Sequence, residues 1–301
     1  MNARLRGIAR QTQEIVEAGR YRAPGGRTVT IGGDLSAAVE GTRMFGPEPV
    51  PVVPDTDRLS VCEVTGESSL TAARRMTGRD AAPVAVLNFA SARNPGGGYL
   101  NGAQAQEEAL CRASALYTTL LAVPGFYTHH REDRSPFYSD RVIHSPGVPV
   151  FRDERGGLLD TPFTVGFLTS PAPNAGVIAA RTPELAVRIP RVLASRAERV
   201  LETAATTGYR RLVLGAWGCG VFCNDPSRVA GAFRSLLTGD GRFSGHFDEI
   251  VFAVLDRTRE ARTLGAFREA FPAECDGRSG PRTGPAGSSP PGTRSSPPGT
   301  P

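Results

Sequence analysis

Six short apolar runs alternate with amphipathic segments along the chain, and this alternation most narrows what it can fold into. The runs are 59–64, 83–89, 141–144, 164–169, 211–217 and 249–255, each β-branched or aliphatic and bounded by turn residues. Helical spacing fits 68–76, 103–121, 184–206, 226–237 and 258–271, and also the start, MNARLRGIARQTQEIVEAG. Pro190 implies that the helix over 184–206 is kinked or begins in two pieces. Strands that are apolar throughout are buried on both faces, so the pattern predicts a mostly parallel or mixed sheet covered by helices on both sides. Ligands of such sheets bind beyond the carboxyl ends of the strands. The loops after Phe89 and Trp217, both glycine-rich, are therefore the places to look.

From Asp276 onward the sequence has no aliphatic residue larger than Ala and contains SSPPGT twice. Such a segment cannot bury enough surface to offset its chain entropy, which predicts a disordered tail over 276–301. We divide the rest into an accessory, largely helical segment, 1–58, packed on a main α/β domain, 59–275. The 301 residues contain no Lys, so all 35 basic residues are Arg. A Walker phosphate loop and Schiff-base catalysis both need lysine and are excluded. The net charge of +5 is spread along the chain without a basic stripe, so direct nucleic-acid binding is not expected. Charges interrupt the apolar positions of the N-terminal segment, unlike a secretory signal, and no apolar run approaches a membrane span. A cytoplasmic, monomeric protein without membrane attachment is expected. Cys62, Cys111, Cys219, Cys223 and Cys275 are odd in number and mostly far apart, which predicts reduced thiols.

The first loop runs Ser91-Ala92-Arg93-Asn94-Pro95-Gly96-Gly97-Gly98 and leads to Gln106-Glu107-Glu108 at the start of a helix. Successive glycines let backbone N–H groups approach a ligand, and a following helix N-terminus favours negative charge on it. The second loop, Gly218-Cys219-Gly220-Val221-Phe222-Cys223-Asn224-Asp225-Pro226, also enters a helix, capped by Asn224 or Asp225. It fails the G-x-G-x-x-G fingerprint because Cys223 stands where glycine is required. Two cradles at neighbouring strand ends fit a diphosphate held between them. The Cys219/Cys223 pair has no companion His or Cys nearby, so no metal site and no cofactor is expected. Adjacent helix positions point about 100° apart, so one of Glu107 and Glu108 can face the ligand while the other binds a neighbouring group. A carboxylic acid beside an apolar strand end can have its pKa raised, as a general acid requires. His129-His130 lies in a polar stretch and is expected in a surface loop, His144 at a core or strand-end position, and Trp217 packed at the end of its strand.

With GGG, seven residues and QEE in view, followed by GCGVF in the second loop, the sequence resembles the poly(ADP-ribose) glycohydrolases, and in particular the shorter bacterial-type members. The likeness extends from the N-terminal helix to about Phe271. It implies a three-layer α/β/α macrodomain with a mixed central sheet and an N-terminal helical extension. It also implies hydrolysis of the ribose–ribose O-glycosidic bond, with poly(ADP-ribose) or ADP-ribosylated proteins as substrate and ADP-ribose released from chain ends. Carried over by position, the resemblance makes Glu108 the catalytic acid/base and Glu107 the group that holds the ribose hydroxyls, with Gln106 supporting the turn and Asn88 as a ribose ligand. Gly96, Gly97, Gly98, Gly218, Cys219 and Gly220 line the diphosphate; Val221 and Phe222 cover it; Asn224 completes the substrate-binding set. Ordinary glycosidases place two carboxylates across the scissile bond, ~5 Å or ~6.5–9.5 Å apart. Adjacent helix residues lie on one side of it, so a single acid/base Glu is expected. Two other readings stay open: a module that binds ADP-ribose without cleaving it, and an enzyme of the same scaffold that removes mono-ADP-ribose.

Overall fold

The computed structural model describes residues 2–272; the expected tail and Cys275 lie outside them. The chain opens with α1 (Ala3–Ala18), the small hairpin β1 (Arg20–Arg22) and β2 (Thr28–Thr30), and α2 (Gly32–Gly41). There follow β3 (Arg43–Phe45), β4 (Val61–Thr65), α3 (Ser69–Thr77) and β5 (Val84–Phe89). Next come α4 (Gln106–Ala113), α5 (Leu116–Leu121), α6 (Pro124–Glu132), β6 (Val142–Arg152) and β7 (Leu158–Ser170). The remainder is α7 (Ala175–Arg181), α8 (Ile189–Thr206), β8 (Arg211–Gly215), α9 (Pro226–Leu237), β9 (Glu249–Ala253) and α10 (Arg262–Ala270).

Seven strands form one sheet in the order β3-β6-β7-β5-β8-β9-β4. Only β6 runs against the others, since β3 and β7 both pair with it antiparallel and β7-β5-β8-β9-β4 are parallel. The sheet is mixed, as the sequence predicts. In β5 alternate residues separate cleanly: Val84 and Val86 enter a core with α1 to α6, and Ala85 and Leu87 a second core with α7 to α10. The same alternation in β8 and β9 puts Val213 and Val251 in the first core and Leu212, Leu214, Ile250 and Phe252 in the second. This is a three-layer α/β/α sandwich.

Several expected elements differ in extent. The helix expected over 103–121 is two helices, because Ser114 is extended, bridges Val150, and turns its hydroxyl back onto the Leu110 carbonyl. The runs at 141–144 and 164–169 are pieces of one long β6–β7 hairpin, whose register shift between Ser145 and Val148 absorbs Pro146 and Gly147. Pro190 sits in the first turn of α8, after the separate 3-10 turn Pro183–Arg188, so that region does begin in pieces. The stretch around His129-His130 is no surface loop: it is α6, started by Pro124, and His130 is fully buried. Its ring nitrogens lie 2.8 Å from the Phe126 carbonyl and 2.8 Å from Ser139 Oγ, so both polar atoms are paired in the core.

The first 58 residues contribute a sheet edge, β3, as well as helices. Helix α1 also supports the segment between β5 and α4. Tyr99 is buried and donates its hydroxyl to the Ala9 carbonyl at 3.1 Å while accepting from Gln13 Nε2 at 2.9 Å. Thr12 Oγ1 donates to the Arg112 carbonyl at 2.8 Å and accepts from Arg152 Nε at 3.0 Å.

Candidate active site

The β5–β8 ladder ends at Val86↔Val213, whereas β5 stays paired with β7 up to Phe89↔Ser170. The β8-facing edge of Leu87 and Phe89 is completed instead by the side chain of Gln106. Its Oε1 accepts from Phe89 N at 2.9 Å, and its Nε2 donates to the Leu87 carbonyl at 2.8 Å and to Ser69 Oγ at 3.2 Å. An amide presents a donor and an acceptor side by side, as a strand edge does, so Gln is suited to this place. The first turn of α4 is thereby fixed to the strand end, and Glu107 and Glu108 with it.

Asn88 shares the face of Val84 and Val86 and is fully buried. Its Nδ2 donates to Glu107 Oε1 at 3.1 Å and to Thr169 Oγ1 at 3.1 Å; its Oδ1 is buried without a partner. Glu107 Oε2 accepts from Ser91 N at 2.8 Å. Glu108 Oε1 accepts from Gly98 N at 2.8 Å, and Glu108 Oε2 is buried without a partner. A buried acceptor left without a donor costs about 1–3 kcal/mol. Two such acceptors near one helix start suit a ligand rich in hydroxyl donors.

Burial pushes the Glu107 carboxyl up to about 8, against the donors Ser91 N–H and Asn88, with the neighbouring Glu108 pushing it further up. The sign is then fixed. A native-state value above the ordinary 4.5 contributes stability that is full below that value and is lost as pH rises through about 8. Unfolding free energies measured from pH 5 to 8 should therefore carry a downward component, up to about a few kcal/mol across the window, that disappears in Glu107→Gln. An unchanged slope in the variant would show that Glu107 does not titrate in this range.

The glycines of the first loop are required by packing. Gly96 and Gly97 have φ of 64° and 56°. A Cβ on Gly96 would lie 2.9 Å from the Tyr117 ring, one on Gly97 would overlap Glu108 Oε1, and one on Gly98 would come 2.7 Å from Ala103 Cβ. The N–H of Gly97 bonds the Asn94 carbonyl at 2.9 Å and that of Gly98 bonds Glu108. These two amides hold the loop and the acid. Arg93 donates to the His130 and Arg134 carbonyls.

The second loop is anchored at both ends. Gly218, at φ 72°, lies against Ala172, and Asn224 Nδ2 donates to the Pro173 carbonyl at 2.7 Å and the Gly218 carbonyl at 3.1 Å. Asn224 is thus a buried loop brace, and Asp225, which accepts from Arg228 N at 2.9 Å, is the cap of α9. Between the anchors, Gly220, Val221 and Phe222 donate no backbone N–H to an acceptor among the described residues, Val221 is 78% exposed, and nothing crowds Gly220. Consecutive backbone amides without a protein acceptor are the groups from which anion-binding concavities are built. Cys219 Sγ is half-buried, and burial pushes its thiol up to about 12. The two loops meet at the Ser170 carbonyl, which accepts from Ala90 N at 3.2 Å and from the buried Trp217 Nε1 at 2.9 Å. The sequence-predicted residues thus lie on two loops that start beside one strand end.

Sequence reasoning misses Ser91, Thr169 and Ser69. Thr169 becomes visible only through the β5–β7 register, which sets it opposite Asn88. Among the described residues no group of three or more His, Cys, Asp or Glu is placed to hold a metal ion. No helix among them is long and apolar enough to cross a membrane. A cavity of about 260 Å³, lined by Thr77, Asp80, Thr164 and Tyr209 among others, lies at the opposite end of the strands and includes none of the site residues.

Comparison with known proteins identifies the family. The family model described as the microbial-type PARG catalytic domain matches residues 9–153. A search of the curated proteins found no match. Among solved structures, the poly(ADP-ribose) glycohydrolase of Thermomonospora curvata is 51% identical, covering 90% of this chain and 100% of its own, with a TM-score of 0.86. The same enzyme bound to the inhibitor ADP-HPD is 52% identical over the same shares, with a TM-score of 0.84. The Deinococcus radiodurans enzyme in complex with ADP-ribose is 47% identical over 82% of this chain and 100% of its own, with a TM-score of 0.76. Identity of this order over most of the chain leads to one conclusion: the chain belongs to the microbial-type poly(ADP-ribose) glycohydrolase family.

Proposed function

We infer that the chain is a hydrolase that cleaves the ribose–ribose O-glycosidic bond of poly(ADP-ribose), acting at chain ends and releasing ADP-ribose. The observation that carries this reading is the asymmetry of Glu108: one carboxyl oxygen is held by the Gly98 N–H and the other is buried without a partner. An acid/base catalyst needs one fixed oxygen for aim and one available for the proton. Protonated Glu108 gives its proton to the departing 2′ oxygen of the preceding ribose as positive charge develops at the anomeric carbon of the terminal unit. Water then attacks that carbon and returns a proton to Glu108, which restores the starting state. Glu107, held by Asn88 and Ser91, binds the ribose hydroxyls, and the orphaned Asn88 Oδ1 accepts from one of them. The amides of 220–222 bind the diphosphate, and Phe222 covers the terminal ribose.

In this reading Gly96–Gly98 serve the acid more than the diphosphate. The enzyme works as a cytoplasmic monomer on polymer carried by ADP-ribosylated proteins. Incubation with polymer labelled at its free terminus tests the mode of action. Early release of labelled ADP-ribose as the sole small product is expected, and early appearance of internal oligomers would overturn the chain-end assignment. Activity should persist in EDTA.

A further inference from the structure

Tyr138, between α6 and β6, has φ 58°. For a bulky side chain this left-handed conformation is costly and persists only where the surroundings fix it. An ordinary turn at this φ takes Gly, Asn or Asp at little cost, so the ring is the feature that needs explaining. It is half-buried and touches three separate elements. Its centroid is 5.8 Å from the Phe222 ring of the second loop and 5.9 Å, edge-on, from the His130 ring of α6. Arg93 of the first loop places its guanidinium carbon 5.8 Å from the same centroid.

Each contact is itself anchored. Arg93 Nε and Nη2 donate to the carbonyls of His130 and Arg134 at 3.0 and 3.1 Å. The Phe222 carbonyl accepts from Gly176 N at 3.0 Å. His130 is locked by Phe126 and Ser139, and burial holds it down at about 4, so it packs as a neutral ring at neutral pH. Aromatic pairs at such distances and a cation over a ring face are each weakly favourable. Tyr138 is thus the wedge at which the first loop, the second loop and α6 meet.

We propose that Tyr138 is a positioning residue that sets the separation of the two site loops and holds Phe222 where it covers the terminal ribose of ADP-ribose. The proposal rests on the reading of the second loop as the ribose cover given above. Tyr138 touches no reacting atom and acts through Phe222.

The test is a double-mutant cycle on the full chain with Tyr138→Gly, Tyr138→Phe, Phe222→Ala and the double variant Tyr138→Gly/Phe222→Ala. The readouts are the Kd for ADP-ribose by calorimetry and KM and kcat on polymer. Tyr138→Gly removes both the backbone strain and the ring, so thermal unfolding identifies the temperature at which it is compared as a folded protein; Tyr138→Asn, which also tolerates this φ, takes its place if Gly fails to fold.

Tyr138→Gly should raise Kd and KM about tenfold with kcat within about threefold, about 1.4 kcal/mol. Tyr138→Phe should stay within about twofold of wild type. In the Phe222→Ala background the glycine should add nothing, since the wedge then has nothing to hold. Wild-type Kd in Tyr138→Gly, additive losses in the double variant, or a Tyr138→Phe loss equal to that of glycine would each overturn the proposal. If the wild type binds ADP-ribose with this pattern but releases none from polymer, the glycohydrolase reading fails and the positioning role stands. If the wild type does not bind ADP-ribose, both fall.

Discussion

Glu108→Gln should lower kcat by about 10²–10⁴-fold, the range typical of a positioned proton-transfer group, with Kd for ADP-ribose nearly unchanged. Glutamine keeps the oxygen that accepts from Gly98 N–H, so the side chain stays in place. At the position of Oε2 it presents an NH₂ group, which can donate a hydrogen bond to the leaving oxygen but cannot release a proton to it or take one from water. The comparison therefore separates proton transfer from binding and from loop geometry. A variant with kcat within tenfold of wild type would show that another group carries the proton, and Glu107 would be the next to replace.

Gly97→Ala should remove activity by a different route. Its φ of 56° already costs a non-glycine residue about 1–2 kcal/mol. The added Cβ would also overlap Glu108 Oε1 and come within 3.3 Å of Glu107 Oε2. Either the loop or the acid must move, and a shift of about 1 Å at a reacting group is worth about 10²-fold in rate. Gly147→Ala is the control: its φ is 55°, yet nothing lies within 4 Å of the added Cβ. Gly147→Ala should lose only the stability due to φ on denaturant unfolding, Gly97→Ala at least as much, and only Gly97→Ala should lose about 10²-fold or more in kcat/KM. Equal activity in the two would mean that the glycine serves backbone conformation alone.

The parts of this molecule legible in its sequence are those whose partners lie close along the chain or whose burial is two-sided. β5, β8 and β9 read as strands because both of their faces are covered and nearly every position is apolar. The acids are identifiable because the loop and helix that hold them are consecutive. The β6–β7 hairpin is not, since Pro146, Gly147, Pro149 and Pro162 interrupt its pattern and a register shift absorbs the first two. Helix α6 is hidden because His, Arg and Glu read as solvated surface, whereas tertiary packing buries His130. The Thr169 and Tyr138 contacts depend on strand register and loop approach, which no local spacing encodes. The glycines of the first loop read as ligand-facing, and the structure uses two of their N–H groups internally: glycine composition reports that something approaches the backbone, but not what.

The Gln106 clamp has a mechanical consequence. Its amide stands in for a neighbouring strand on β5, so the acid-bearing side of the site is tied directly to a strand of the sheet and should be stiff. Any compliance for admitting and releasing substrate is then expected in the second loop, where the Gly220, Val221 and Phe222 amides have no acceptor among the described residues. Changes there should alter residence time of the product, whereas changes at Gln106 should alter the aim of both carboxylates together.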